Sequence, residues 1–314
     1  MKRALITGVA GFGGSRLAEQ LLNRGYEVTG IDIVPPLQAV RVAHLIKRPD
    51  MVYRWKSLQD IQPEDVKGHA VVAHLAAQAD TPLGFDAPRW TVAQNIDGTV
   101  ALLEAVRRAG DCERFLYAAS GNELGHPKYL PIDEQHPLTP HNPYGFSKAA
   151  AELAAWTWHR CYGVPSVVIG TGVVIGTLMR REVFIFRWLW NALHGDKIVV
   201  EGGSQTRDIS HITDVAEAWV RAIEAPAKDV VGEKFLIGQG VEWSVSDLAD
   251  MCRDVAAGMT GNKVPIERVG FRPGEQGQRE VFNTQKARRV LGYSPRYGTS
   301  EAVAHTARWI GTLV

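Results

Sequence analysis

Ala4-Leu5-Ile6-Thr7-Gly8-Val9-Ala10-Gly11-Phe12-Gly13-Gly14 is the stretch on which the fold of this 314-residue chain turns. Ala4 to Thr7 is a short apolar run ended by glycine, the pattern of a buried strand. Leu17, Ala18, Leu21 and Leu22 follow at helical spacing, and Gly25 is placed to end that helix. Gly8, Gly11 and Gly14 stand three apart between strand and helix. Gly8 permits a tight turn, Gly11 lets backbone approach a pyrophosphate, and Gly14 lets the helix pack close to the strand. The helix N-terminus then faces the phosphates. Phe12 and Gly13 complete the turn. A second apolar strand, Tyr26 to Ile33, carries Asp32, 18 residues beyond Gly14. That is the place of the acid that holds adenosine ribose hydroxyls and repels a 2′-phosphate, so the turn predicts NAD rather than NADP.

Working outward, Ala70 to Leu75, Arg114 to Ala119 and Ser166 to Gly170 read as further strands. Helices are expected over Trp90 to Ala109 and Tyr144 to Tyr162. Pro35 to Asp60 reads as loop and helix leading to a strand near Val52-Tyr53-Arg54. Apolar strands alternating with amphipathic helices specify an α/β, Rossmann-type doubly wound parallel sheet. After Gly172 the rhythm changes. Val183 to His194, Asp214 to Ile223, Ser246 to Ala257, Thr284 to Leu291 and Ser300 to Ile310 read as helices. Ile198 to Val200, Ile209 to His211 and Lys234 to Ile237 read as strands, the last able to return to the main sheet. The expected division is an NAD-binding domain over 1–172 plus about 212–238. A smaller mixed α/β substrate lobe comprises 173–211 and 239–314.

Bulk properties exclude several classes. A formal net charge of +1 with mixed signs leaves no basic field for nucleic acid or anionic membrane. No apolar run reaches the roughly 18 residues of a membrane span. The N-terminal apolar run is cut by glycines, so a strand is expected there rather than a signal peptide. Three scattered cysteines suit a reducing, cytoplasmic setting. The histidines form no metal-ligand set. Trp188 and Trp190 sit in a dense aromatic stretch that suits core or subunit packing.

Pro143-Tyr144-Gly145-Phe146-Ser147-Lys148 opens an alanine-rich helical run. A tyrosine and a lysine four apart share one helix face. The lysine charge favours a phenolate and so lowers the tyrosine pKa from its reference of about 10. A shift of about 3 units needs on the order of 4 kcal/mol, more than one lysine supplies, so an oxidised nicotinamide would add to it.

Gly-x-x-Gly-x-x-Gly together with Tyr144-x-x-x-Lys148 resembles the extended short-chain dehydrogenase/reductase family, and within it the nucleotide-sugar epimerases and dehydratases, UDP-glucose 4-epimerase among them. The resemblance runs over nearly the whole chain. His74-Leu75-Ala76-Ala77-Gln78 resembles the family's fourth-strand motif, and Asn95-Ile96-Asp97-Gly98-Thr99 its next helix, both beside the cofactor. Arg207-Asp208-Ile209-Ser210-His211 and Arg272-Pro273-Gly274-Glu275 resemble the stretches whose arginines hold the nucleotide diphosphate. The resemblance implies Ser120, Tyr144 and Lys148 as catalytic residues and NAD as cofactor. It implies Asn122, Arg207 and Arg272 as substrate contacts, and a homodimer built on the two long helices. Three positions depart from the pattern. Leu124 replaces the usual loop tyrosine, Gly170 and Val173 replace an arginine and an asparagine, and Gly176 to Arg181 lacks Gly-Pro-Arg.

The family's 4,6-dehydratases carry an Asp-Glu pair after the catalytic hydroxyl residue. Gly121 and Asn122 stand there, and an amide takes no proton at working pH. A UDP-hexose 4-epimerase, passing through a 4-keto sugar, is therefore the expected activity. A 4,6-dehydratase of GDP-mannose or dTDP-glucose type is the alternative, since a one-residue shift of the loop would put Glu123 in the glutamate's place. A 4-keto reductase and a non-catalytic NAD-binding protein are the remaining readings.

Overall fold

The computed structural model describes residues 2–272 and 275–313. Its centre is a seven-stranded sheet. Six strands come from the first half: β1 (Arg3–Thr7), β2 (Glu27–Asp32), β3 (Met51–Trp55), β4 (Val71–His74), β5 (Arg114–Ser120) and β6 (Ser166–Thr171). The segments β7 (Val173–Ile175), β8 (Ile198–Glu201), β9 (Thr206–Arg207) and β10 (Ile209–His211) lie outside that sheet, and β11 (Lys234–Ile237) returns to it. The order is β11-β6-β5-β4-β1-β2-β3, with every pairing parallel. β1, β4 and β5 are apolar almost throughout because both faces of a parallel sheet are covered.

Helix α1 (Phe12–Asn23) follows the glycine turn. Next come α2 (Pro63–Val66), α3 (Thr81–Asp86), α4 (Pro88–Val92), α5 (Gly98–Ala109) and α6 (Pro143–Tyr162). After these, α7 (Phe184–His194), α8 (Ile212–Glu224), α9 (Ala227–Val230), α10 (Val245–Thr260), α11 (Gln285–Leu291) and α12 (Thr299–Gly311) complete the set. Leu17, Leu21, Val215 and Ala218 of α1 and α8 cover one sheet face, while Leu102, Leu103, Ala151 and Ala155 of α5 and α6 cover the other.

A further cluster unites Ile185 and Leu189 of α7 with Leu248 and Cys252 of α10 and Val303 and Ile310 of α12. Two strand pairs flank it: β8 with β13 (Ile266–Val269), and β9 with β12 (Trp243–Ser244). Ala287, Leu291 and Tyr293, late in the chain, pack on the first core instead.

Two local expectations change. Residues 35–50 form turns and a single 3-10 turn at Pro36–Gln38 rather than a regular helix. The helix expected over Trp90 to Ala109 is interrupted by a π-helical turn at Ala93–Asp97. That turn widens around Asn95, whose side chain is buried beneath the sheet's C-terminal edge.

Candidate active site

The first cradle lies where β1 meets α1. Gly8 has φ +71°, and its N–H donates to the Ile31 carbonyl at 2.8 Å. A Cβ added there would meet the Ala76 backbone at 2.7 Å, so only glycine lets β1 and the loop after β4 come this close. A Cβ on Gly14 would strike the Gly8 carbonyl, which is the close helix–turn packing expected. Gly13 is held under Trp219 and Leu75. Gly11 caps α1 without a side-chain acceptor, so the first N–H groups of the helix are left for a ligand.

The Asp32 carboxylate accepts the Ala10 N–H at 2.8 Å and the Val34 N–H at 3.0 Å, one on each oxygen. Each oxygen keeps a second lone pair. Burial raises the Asp32 pKa, and these N–H bonds oppose the rise. The donor turn, the glycine approach and the half-satisfied carboxylate fit a dinucleotide with free ribose hydroxyls.

The strip from Leu75 to Gln78 forms the opposite wall. Leu75 and Ala76 donate their N–H groups to the Thr7 carbonyl and hydroxyl at 3.3 and 3.2 Å. His74 bridges Thr7 and Thr99, and burial drives its pKa down to about 3, so the ring is neutral. Asn95 accepts the Gln78 N–H at 2.7 Å and donates to the Gln78 carbonyl and the Ser147 hydroxyl. Both amide hydrogens of Asn95 are used within the protein. Asn95 thereby ties the Leu75–Gln78 strip to α6 through Ser147.

Asn142 caps α6 by accepting the Gly145 N–H at 2.7 Å, with Pro143 at the first helical position. The first turn thus holds Tyr144 beside β5. Tyr144 and Lys148 are both buried. Lys148 donates from Nζ to the Ala118 carbonyl at 2.7 Å and lies 4.2 Å from the Tyr117 ring centre. Tyr117, absent from the sequence reading, anchors the arrangement by donating to the Lys148 carbonyl at 2.9 Å. Here the structure differs from expectation. Burial raises the Tyr144 pKa, and the Ser120 hydroxyl and the Arg180 guanidinium oppose the rise. Burial lowers the Lys148 pKa to about 8, with the Glu123 and Glu152 carboxyls opposing. Arg180 is fixed by donating to the Ala79 carbonyl at 2.8 Å. It falls in the segment that departs from the family pattern, so no motif marked it.

The loop after Ser120 is a 3-10 turn, Gly121–Glu123. Asn122 donates its N–H to the Ser120 hydroxyl at 3.3 Å, and its side-chain oxygen accepts from Asn142 at 3.2 Å. Glu123 is fully buried and turned away into the protein, where Oε1 accepts the Ser120 N–H at 2.9 Å. Burial and the neighbouring Glu152 hold its pKa well above the carboxylate range. Glu152 stays ionised against Lys234 at 2.8 Å despite its burial.

Arg207 lies on β9, donating to its own Thr206 carbonyl at 2.7 Å and to Gln278 at 2.8 Å, with Glu275 at 3.6 Å. Arg272 is ion-paired with Glu201. Pro273 and Gly274 of its motif lie outside the described residues. The structure therefore gathers Ser120, Asn122, Tyr144 and Lys148 at the C-terminal ends of β5 and α6's first turn. Each arginine faces an acid of this chain, Glu275 for Arg207 and Glu201 of β8 for Arg272.

The family model described as GDP-mannose 4,6 dehydratase matches residues 5–306. A UDP-glucose 4-epimerase of Mycolicibacterium smegmatis is 32% identical, over 98% of this chain and 98% of its own. The crystal structure of a UDP-glucuronic acid 4-epimerase from Bacillus cereus, in complex with UDP-glucuronic acid and NAD, superposes with a TM-score of 0.91 at 26% identity, covering 99% of this chain and 100% of that one. DesIV, a dTDP-glucose 4,6-dehydratase from Streptomyces venezuelae with NAD and TYD bound, gives 0.89 at 25% identity, covering 99% and 97%. The chain belongs to this family, the extended short-chain dehydrogenases/reductases that act as NAD-dependent nucleotide-sugar epimerases and dehydratases.

Proposed function

We propose that this member of the nucleotide-sugar epimerase/dehydratase family is a 4-epimerase acting on a UDP-hexose. NAD, when bound, supplies the hydride acceptor and donor at sugar C4. Gly8 and Gly11 to Gly14 would cradle its pyrophosphate, Asp32 its adenosine ribose, and Leu75 to Gln78 its nicotinamide side. Tyr144 moves the proton at the sugar's O4, and Ser120 hydrogen-bonds the same oxygen. Arg180 and the cofactor's positive ring together offset the burial that holds Tyr144 protonated. Lys148 keeps Tyr144 and β5 in register through Ala118. Arg207 and Arg272 bind the diphosphate once it displaces Glu275 and Glu201.

One observation carries the choice between epimerisation and dehydration. The loop after Ser120 turns no acid toward a bound sugar: Gly121 has no side chain, the Asn122 amide braces Asn142, and Glu123 points into the core. The C5 proton then stays in place while the 4-keto sugar turns over and is reduced on its other face.

The test is incubation with UDP-glucose, UDP-glucuronate, UDP-N-acetylglucosamine, dTDP-glucose and GDP-mannose in deuterated water, read by NMR. A C4 epimer that keeps protium at C5 is expected. A 4-keto-6-deoxy product with deuterium at C5 overturns the reading in favour of a dehydratase.

Residues 1–172 with about 212–238 would serve as the cofactor domain, joined by the stretch carrying Ala287, Leu291 and Tyr293, and the rest of 173–211 and 239–314 as the substrate lobe. Exposed Phe146 and Leu153, seven apart on α6, support a homodimer through α5 and α6. Sedimentation at micromolar concentration tests it. Among the described residues no helix is long and apolar enough to cross a membrane, and we place the enzyme in the cytoplasm.

A further inference from the structure

Glu280 has no role in the scheme above, yet its carboxyl lies against the reacting loop. Only 7% of the residue is exposed. Oε1 accepts the Asp208 N–H at 3.4 Å, and the Glu280 N–H donates to the Thr206 hydroxyl at 3.1 Å. A Cβ added to Gly121, the residue after Ser120, would come 2.5 Å from Oε2, and one added to Gly172 would strike Oε1. The carboxyl thus fills space that two glycines leave beside the catalytic hydroxyl. Burial raises its pKa to about 7, with Arg207 opposing and Asp208 adding. The Asp208 N–H uses Oε1, and the Val173 backbone also bonds the carboxyl. Oε2 is the oxygen turned to Gly121.

We propose that the Glu280 carboxylate walls the sugar subsite beside Ser120 and selects neutral hexoses over hexuronates. The proposal rests on the nucleotide-sugar reading. A sugar with its C4 hydroxyl between Ser120 and Tyr144 brings its ring next to Gly121. There a carboxylate accepts hydrogen bonds from sugar hydroxyls and repels a second carboxylate. Two unit charges about 6 Å apart at a partly buried site give a preference on the order of tenfold to a hundredfold.

The test is calorimetric binding of UDP, UDP-glucose and UDP-glucuronate at pH 8.5 to the full-length NAD-loaded protein, as wild type, Glu280→Gln and Glu280→Asp. Binding is read apart from turnover, so failure of the epimerase reading leaves this result intact. The wild type should bind UDP-glucose at least about tenfold more tightly than UDP-glucuronate. Glu280→Gln should erase most of that ratio by improving UDP-glucuronate, with UDP alone unchanged. Glu280→Asp, which keeps the charge, should retain it. Equal wild-type affinities, or a ratio unchanged in Glu280→Gln, overturns the proposal.

Discussion

Glu123→Gln separates the two chemistries open to this fold. Glu123 is fully buried, and burial with Glu152 beside it raises its pKa well above the usual carboxylate range. Glutamine has its shape, and its oxygen can accept the Ser120 N–H as Oε1 does at 2.9 Å. Its amide can donate toward the neighbouring Glu152 carboxylate. The exchange should therefore cost less than about 1 kcal/mol at acid pH. The pH dependence has a definite sign. A carboxyl whose native pKa is raised stabilises the fold fully below its unfolded value of about 4.3, and that contribution is lost as pH rises toward the native value. Over that window the wild type loses about 1.4 kcal/mol per pH unit, and glutamine loses none. At roughly 2–4 °C per kcal/mol, the melting temperature of Glu123→Gln should gain about 3–6 °C on the wild type for each pH unit between pH 5 and the native pKa. The assay is calorimetric melting from pH 5 to 8, alongside turnover in deuterated water. A flat difference with pH would mean that Glu123 is ionised in the fold. Loss of turnover by more than about a hundredfold with the fold intact would make Glu123 a reacting acid or base, and refute the epimerase argument.

Tyr144→Phe should retain NAD, measured by absorbance of the denatured supernatant, and lose at least about a hundredfold in kcat; surviving activity would remove the tyrosine from proton transfer. Gly8→Ala should melt well below Gly110→Ala. Both have positive φ, at +71° and +74°, but only the first presses a Cβ on backbone. The left-handed conformation costs each about 1–2 kcal/mol, and the clash adds to Gly8→Ala alone, together with loss of NAD. Asp32→Asn should weaken NAD and narrow its advantage over NADP in equilibrium dialysis, since the repelling charge is gone. Unchanged cofactor preference would mean that Asp32 serves only to hold Ala10 and Val34.

The cofactor half of this protein was legible in the sequence because its signals are local. A glycine spacing fixes backbone approach within a few residues, and an acid at the end of β2 follows from strand length. Alternating apolar runs specify a sheet covered on both faces. Tyr144 and Lys148 stood out by their spacing on one helix, whereas Ser120 was marked only through the family resemblance. What the tertiary structure decided is where side chains point and which charges they feel.

Glu123 looked like a possible acid along the chain, but the 3-10 turn swings it inward to Ser120's N–H. Arg180, 36 residues beyond Tyr144 and in no motif, opposes the rise in the tyrosine pKa, while Ala118 holds the Lys148 Nζ. Glu280 carried no signal at all; it reaches Gly121 only because the late segment folds back over the sheet edge. Backbone pattern is a short-range property, whereas desolvation and Coulomb interaction act through space between residues the sequence keeps far apart.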